Sequence, residues 1–284
     1  MTSQKFGGPW SLEKLKIVEE YLRPFCIALG SRFNLIYIDA FAGSGSFAFR
    51  GATAAPLLDE EEQIRSVDGS ARVALSCTPP FSHLYFLEQK RKNVEALKGL
   101  AREFPHHKID ILKGNANELL SNVCQKVNWL NSRGILFLDP FGNSVEWKTL
   151  EFVARRTKLD VWYLFPLSGV YRNVPGNLEK LTEDKRASVT RILGTPEWED
   201  YFYKPALDDH MDLFPEHEAG ARRTANAEGI LNYVSQRLSG LFPYVTEPRI
   251  LQGPNNAPLY ALYLALTNDS EKAIALAKRI ARAE

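Results

Sequence analysis

Five short apolar runs alternate with amphipathic stretches through the first 165 residues, and this alternation constrains the fold more than any other feature of the chain. The runs cover residues 33–39, 84–88, 109–112, 134–139 and 160–165. Each is too short for a core helix and reads as a buried strand. Helical patterns over 89–104, 118–130 and 146–157 lie between them, so right-handed crossovers and a parallel sheet are expected. Ahead of the first run, Leu12, Leu15, Val18, Leu22 and Phe25 recur at steps of three and four, with Ser11 as N-cap, which predicts a helix over 11–29.

The end of the chain narrows the choice among doubly wound folds. A helix over 228–241 leads into a strand over 244–251, the turn Gly253-Pro254-Asn255-Asn256, and a further strand over 259–267. The expected class is α/β: a Rossmann-like class I methyltransferase fold, its mostly parallel seven-stranded sheet closed by a C-terminal antiparallel β-hairpin. A dinucleotide-binding sheet would more often use six parallel strands. One domain spanning 1–284 is expected, with an N-terminal helical extension (1–32). Residues 46–68 and 166–227 interrupt the alternation, and the second insertion is placed to shape substrate or partner access.

Composition bounds the class of protein. With 45% hydrophobic residues, the 284-residue chain can bury a large core. Lys and Arg number 35 against 34 Asp and Glu, a formal charge of +1, so no global field draws the chain to nucleic acid or an anionic membrane; local basic grooves leave nucleic acid open as a partner. Cys26, Cys77 and Cys124 form no CxxC pair and are odd in number, which suits a reducing cytoplasm and apolar packing. No apolar run approaches the ~20 residues of a spanning helix. The expectation is a cytoplasmic protein without a membrane segment.

The segment Asp39-Ala40-Phe41-Ala42-Gly43-Ser44-Gly45 follows the first strand. An acid ending a buried strand, then glycines that let backbone approach a ligand beyond the sheet's carboxyl edge, is the pattern of a cofactor turn; a tight turn with a solvated Asp39 is the alternative. Gly43-x-Gly45-x-x-Ala48 also fits a nicotinamide fingerprint, which calls for an acid about 20 residues on, at the end of the next strand. Glu60, Glu61 and Glu62 lie near that distance but in a polar run. The acid that does end a strand is Glu88, placed either to accept ribose hydroxyls or as a solvated strand end. Together with the terminal hairpin this favours S-adenosylmethionine. After the third strand, Asn115 reaches the same edge, either to bond the adenine amino group or to cap the following helix.

The fourth strand ends in Phe137-Leu138-Asp139-Pro140-Phe141-Gly142. Asp139 and the Pro140 carbonyl could accept hydrogen bonds from an amine, localising its lone pair toward an incoming methyl group. The competing reading is a strand-to-loop turn, with Asp139 capping and Pro140 blocking helix extension. Asp208, Asp209, His210, Asp212, Glu216, His217 and Glu218 read as a solvated acidic loop, so no metal is expected. Lys90-Arg91-Lys92 shares its helix with Glu95 and Glu103 and reads as a mixed-charge solvent face.

Phe6-Gly7-Gly8-Pro9-Trp10 with Lys14-Leu15, residues 36–45, Phe86-Leu87-Glu88, residues 134–142 and residues 160–167 together resemble the three-Cys-motif partner protein family, TcmP. The likeness spans nearly the whole chain and is weakest over 166–227. It implies a methyltransferase-like fold, a prokaryotic setting and a three-Cys-motif protein as partner; the named cysteines belong to that partner. The chain is also similar to adenine-N6 methyltransferases that carry a Lys on an N-terminal helix before a D-x-F-x-G-x-G turn. By that likeness Lys14 would meet the cofactor carboxylate, with Trp10 nearby. Those enzymes end the fourth strand in Asp-Pro-Pro-Tyr, whereas here Phe141 stands third and Gly142 fourth, a departure at the base-stacking position. Many class I sites also carry Asp where Asn115 stands.

The expected cofactor-binding set is Trp10, Lys14, Asp39, Phe41, Gly43, Ser44, Gly45, Glu88 and Asn115, and the reacting set is Asp139, Pro140 and Phe141. The expected function is S-adenosylmethionine-dependent methyl transfer, favouring an amino nitrogen of a nucleobase or nucleic acid. The alternatives are a non-catalytic cofactor-binding or scaffold subunit for a three-Cys-motif protein and, third, a nicotinamide-dependent oxidoreductase.

Overall fold

A computed structural model describes residues 9–50, 64–205 and 221–282. The five apolar runs form β1 (Asn34–Asp39), β2 (His83–Glu88), β3 (Ile109–Lys113), β4 (Ser132–Leu138) and β5 (Leu159–Phe165), and the terminal segment forms β6 (Tyr244–Val245), β7 (Arg249–Gln252) and β8 (Pro258–Leu266). Their order in the sheet is β6-β8-β5-β4-β1-β2-β3, with β7 also paired to β8. The pairs among β1 to β5 are parallel, while β8 runs antiparallel to β5, β6 and β7.

Among the described residues the sheet has eight strands, the expected mostly parallel sheet with its antiparallel terminal hairpin and one strand more. The edge strand expected over 244–251 is split, because Pro248 has no N–H to donate to a ladder. Thr246, next to the break, still bonds β8: its N–H donates to the Leu264 carbonyl (2.9 Å), and its Oγ1 accepts from the Leu264 N–H (3.2 Å).

Side chains alternate across each strand, so both faces of the sheet are apolar and both are covered. One face packs α1 (Pro9–Leu29), α2 (Ser70–Leu75), α3 (Arg91–Arg102) and α10 (Glu271–Arg282) over Tyr37, Phe86, Phe137 and Trp162. The other packs α4 (Ala116–Lys126), α5 (Trp147–Arg156) and α9 (Ala227–Ser239) over Ile38, Leu136 and Tyr163. Cys26 and Cys77, distant in sequence, share the first core, and all three cysteines are free and buried.

The two insertions have structure of their own. Ser46–Arg50 and Ile64–Asp68 pair as an antiparallel hairpin, which returns the chain to the first glycine turn, where the Gly69 N–H donates to the Gly45 carbonyl (2.9 Å). In the second, α6 (Leu167–Asn173), α7 (Glu183–Leu193) and α8 (Trp198–Phe202) bury Val189, Trp198 and Phe202 against the α9 side of the core. The acidic run 208–218, expected above to be a solvated loop, and Phe6-Gly7-Gly8 lie outside the described residues. Among the described residues no helix is long and apolar enough to cross a membrane, and no group of three His, Cys, Asp or Glu could hold a metal ion.

Candidate active site at the carboxyl edge of the sheet

Adjacent parallel strands with a shared register bring their last residues together. Asp39 pairs with Phe137 on one side and Phe86 on the other, so Asp39, Glu88 and Asp139 converge on one edge. Asp39 is fully buried. Its Oδ1 accepts the Phe41 N–H (3.2 Å) and its Oδ2 accepts the Ser70 hydroxyl. Burial pushes the Asp39 carboxyl up to about 7, with the Ser70 bond opposing that rise and the Asp139 charge adding to it. Asp39 thus shapes the turn from inside.

The turn itself needs its glycines. Gly43 and Gly45 have φ of 61° and 77°, in the left-handed region where side chains are strained. Nothing lies within 4 Å of where a Gly43 Cβ would sit, so this backbone faces open space. The Ser44 hydroxyl turns back to the Ser46 carbonyl, and Phe41 packs half-buried on the α4 side of the core.

Lys14 on α1 is buried and forms an ion pair with Asp139. Its Nζ lies 5.4 Å from the Trp10 ring centroid and 5.7 Å from that of Phe137, and Trp10 packs on Tyr260 of β8 (4.8 Å between centroids). Aromatic faces suit an ammonium taken from water. Pro140 is buried, and Phe141 is 73% exposed with Lys90 Nζ 5.7 Å from its ring centroid.

Glu88 is half-exposed, and its Oε1 accepts the Lys90 N–H (2.7 Å). Asn115 caps α4, its Oδ1 accepting from the Asn117 N–H (2.9 Å) and the Asn117 Nδ2 (3.3 Å). The capping alternative is therefore realised, and it leaves Asn115 a donor NH₂ rather than an acceptor toward the edge.

Two residues that sequence reasoning passed over tie the edge together. Ser70 reaches Asp39 only because the 46–68 hairpin folds back. Asn117 bridges two loops: its Nδ2 donates to the Ser144 carbonyl (3.0 Å), and its Oδ1 accepts from the Glu146 N–H (3.1 Å) and Thr149 Oγ1 (2.9 Å). An Asn after a strand carries no marker for a contact 27 residues on.

This strand order, with a glycine turn after β1 and acids ending β1 and β2, defines a Rossmann-like α/β protein with a terminal antiparallel strand pair. No protein-family model and no curated protein sequence matches the chain. Among solved structures it is similar to protein LPL1258 from Legionella pneumophila (11% identity over 96% of this chain and 92% of that one, TM-score 0.51). It is more distantly similar to the putative methyltransferase yhhF of Escherichia coli (12% identity, 94% and 92% covered, TM-score 0.37) and to an rRNA methylase from Streptococcus thermophilus (11% identity, 92% and 98% covered, TM-score 0.38). At such identities the likeness is one of fold.

Proposed function

We propose that the chain is an S-adenosylmethionine-dependent methyltransferase acting on an amino nitrogen of a nucleobase or nucleic acid. The observation that carries this reading is the convergence of the Asp39–Gly45 turn, Glu88 and Asp139 at one sheet edge, with Lys14 against Asp139. The residues fit the cofactor: backbone at Gly43 is open to a ligand, Glu88 keeps its Oε2 for a ribose hydroxyl, and the Asn115 NH₂ can donate to an adenine ring nitrogen. S-adenosylmethionine, when bound, supplies an electrophilic methyl group. Asp139 and the Pro140 carbonyl accept the hydrogens of the acceptor amine and hold its lone pair toward that methyl. Lys14 is paired with the Asp139 Oδ2, which leaves Oδ1 to accept from the amine. Exposed Phe141 offers a face to a planar base, and Lys90 and Arg172, exposed and without a carboxylate partner among the described residues, suit a phosphate backbone.

The Lys14–Asp139 pair also favours a second reading, a cofactor-binding scaffold for a three-Cys-motif protein in which Asp139 is structural. In either case residues 166–227 would cover the acceptor or the partner. Radiolabelled cofactor offered with total RNA, DNA and protein, with and without that partner, tests both. Transfer to nucleic acid is expected, with Asp139→Asn falling at least ~100-fold, about 2.7 kcal/mol, at unchanged cofactor affinity. Cofactor binding with no transfer to any pool would establish the scaffold.

A further inference from the structure

At the opposite, amino-terminal edge of the sheet, on the α4 side, lies a cavity of about 380 Å³ formed where β1, β2 and β4 begin and α4 ends. That volume is within the range of small-ligand sites. One strand of six residues, roughly 20 Å, separates it from Asp39 and Glu88, so it is not part of the site above.

The hydrogen-bonding inventory of its walls favours donors, and it carries no carboxylate. His83, buried in the cavity wall, has Nε2 3.0 Å from Asp110 Oδ2 and Nδ1 3.0 Å from the Tyr85 hydroxyl. A carboxylate can only accept, so Nε2 carries the proton and the Tyr85 hydroxyl donates to Nδ1. Burial is the largest influence on His83 and lowers its pKa, in keeping with a neutral ring. Both ring nitrogens and the Tyr85 proton are thereby used, and Asp110 stands behind His83 rather than in the wall.

What remains, beside the exposed Asn34 amide with its donor and acceptor, is a set of groups each free to donate. The Ser82 Oγ accepts the Leu35 N–H (3.0 Å), which leaves its O–H to donate. The Asn128 Oδ1 accepts the Leu130 N–H (3.1 Å), which leaves its NH₂. Ser132 is buried at the wall with a hydroxyl that can donate. Lys108 and Lys126 are exposed at the mouth, and no carboxylate pairs with either among the described residues. The carbonyls ending α4 point the other way electrostatically. One of them, Cys124, is bonded by Trp129 Nε1 (2.8 Å), and the Lys126 ammonium stands in the same last turn.

We infer that this cavity is a second binding site, for a small phosphate-bearing ligand, held by the Lys108 and Lys126 ammonium groups and the Ser82, Asn128 and Ser132 donors. Its lining strands β1 and β2 end at Asp39 and Glu88 on the other edge. The inference is independent of the proposed methyl transfer.

Calorimetry on the full chain with inorganic phosphate and with adenosine 5′-monophosphate tests it. Saturable binding is expected, and Lys108→Glu with Lys126→Glu should weaken it at least ~10-fold while thermal stability is kept, since both side chains are exposed. Tighter binding of the nucleotide than of phosphate would identify a nucleoside phosphate as the occupant, and equal binding a free oxyanion. No saturable binding up to about 10 mM of either probe, or equal binding by the charge-reversed protein, would overturn the site. Ser132→Ala, a buried change without charge, should weaken phosphate binding in a protein that remains folded; no change there would remove Ser132 from it.

Discussion

Lys14 and Asp139 stand 125 residues apart in sequence and form an ion pair at the carboxyl edge of the sheet, with their side chains 6% and 27% exposed. The pair is asymmetric: the ammonium is enclosed by Trp10 and Phe137, whereas the carboxylate keeps contact with solvent. Removing the cation therefore leaves a carboxylate that can partly rehydrate.

Lys14→Met keeps the apolar stem and should cost about 1–3 kcal/mol, less than the loss of one partner from a fully buried pair. Urea denaturation of Lys14→Met, Asp139→Asn and the double variant would measure the coupling. Additive effects would mean that the contact contributes nothing to stability.

Glu88 should matter to binding more than to folding, because its hydrogen-bond partner among the described residues is the exposed backbone N–H of Lys90. Glu88→Ala is expected to weaken S-adenosylmethionine by roughly 2–4 kcal/mol, the loss of two charge-assisted hydrogen bonds. Titration calorimetry reads this directly, and an unaltered Kd would take Glu88 out of the ribose site.

Gly69 and Gly43 make contrasting demands. A Cβ at Gly69 would sit 2.8 Å from the Gly45 carbonyl carbon and 2.9 Å from its oxygen, backbone atoms that cannot swing aside. Gly69→Ala should displace the turn and weaken cofactor binding at least ~10-fold. Gly43→Ala meets no protein atom and costs about 1 kcal/mol of stability for its positive φ, while its methyl group would stand where the proposed cofactor approaches. Unchanged cofactor affinity in Gly69→Ala would mean that the hairpin closure does not support the turn.

Asp160 opens β5 from within the core, accepting the Tyr21 hydroxyl (2.9 Å), and burial raises its carboxyl from 3.8 to about 7. Because the folded value is the higher one, its contribution is fully present below pH 3.8 and is lost as pH rises toward 7. Each pH unit in that window removes up to about 1.4 kcal/mol. Asp160→Asn keeps the acceptor for Tyr21 without the titration. The stability of Asp160→Asn relative to wild type should therefore grow between pH 4.5 and 7; a constant difference would rule out the shift.

The parallel strands and the three acids at their ends were legible because a strand buried on both faces is a near-continuous apolar run, and a charge that ends one marks the edge. Asp39, Glu88 and Asp139 follow from that pattern alone. Ser70 and Asn117 were not legible: each acts through a contact across an insertion or between loops, and neither carries a local periodicity. The split of the edge strand could have been read from Pro248. Lys14 was placed near the cofactor by family likeness, and its partner Asp139 emerges only once α1 packs on the sheet.

The Trp10–Tyr260 stack joins residues from near both ends of the described chain, and β8 lies inside the sheet between β5 and the edge. During synthesis α1 leaves the ribosome before the sheet it packs on: Asp139 and Asp160 follow more than a hundred residues later, and Tyr260 later still. Until β8 emerges, the apolar β5 has one unpaired edge, the kind of template that pairs with other nascent chains. The site is thus complete only after β8 has been made. Its last wall arrives with the strand that protects the sheet from aggregation, so a chain stopped short of residue 258 would lack both.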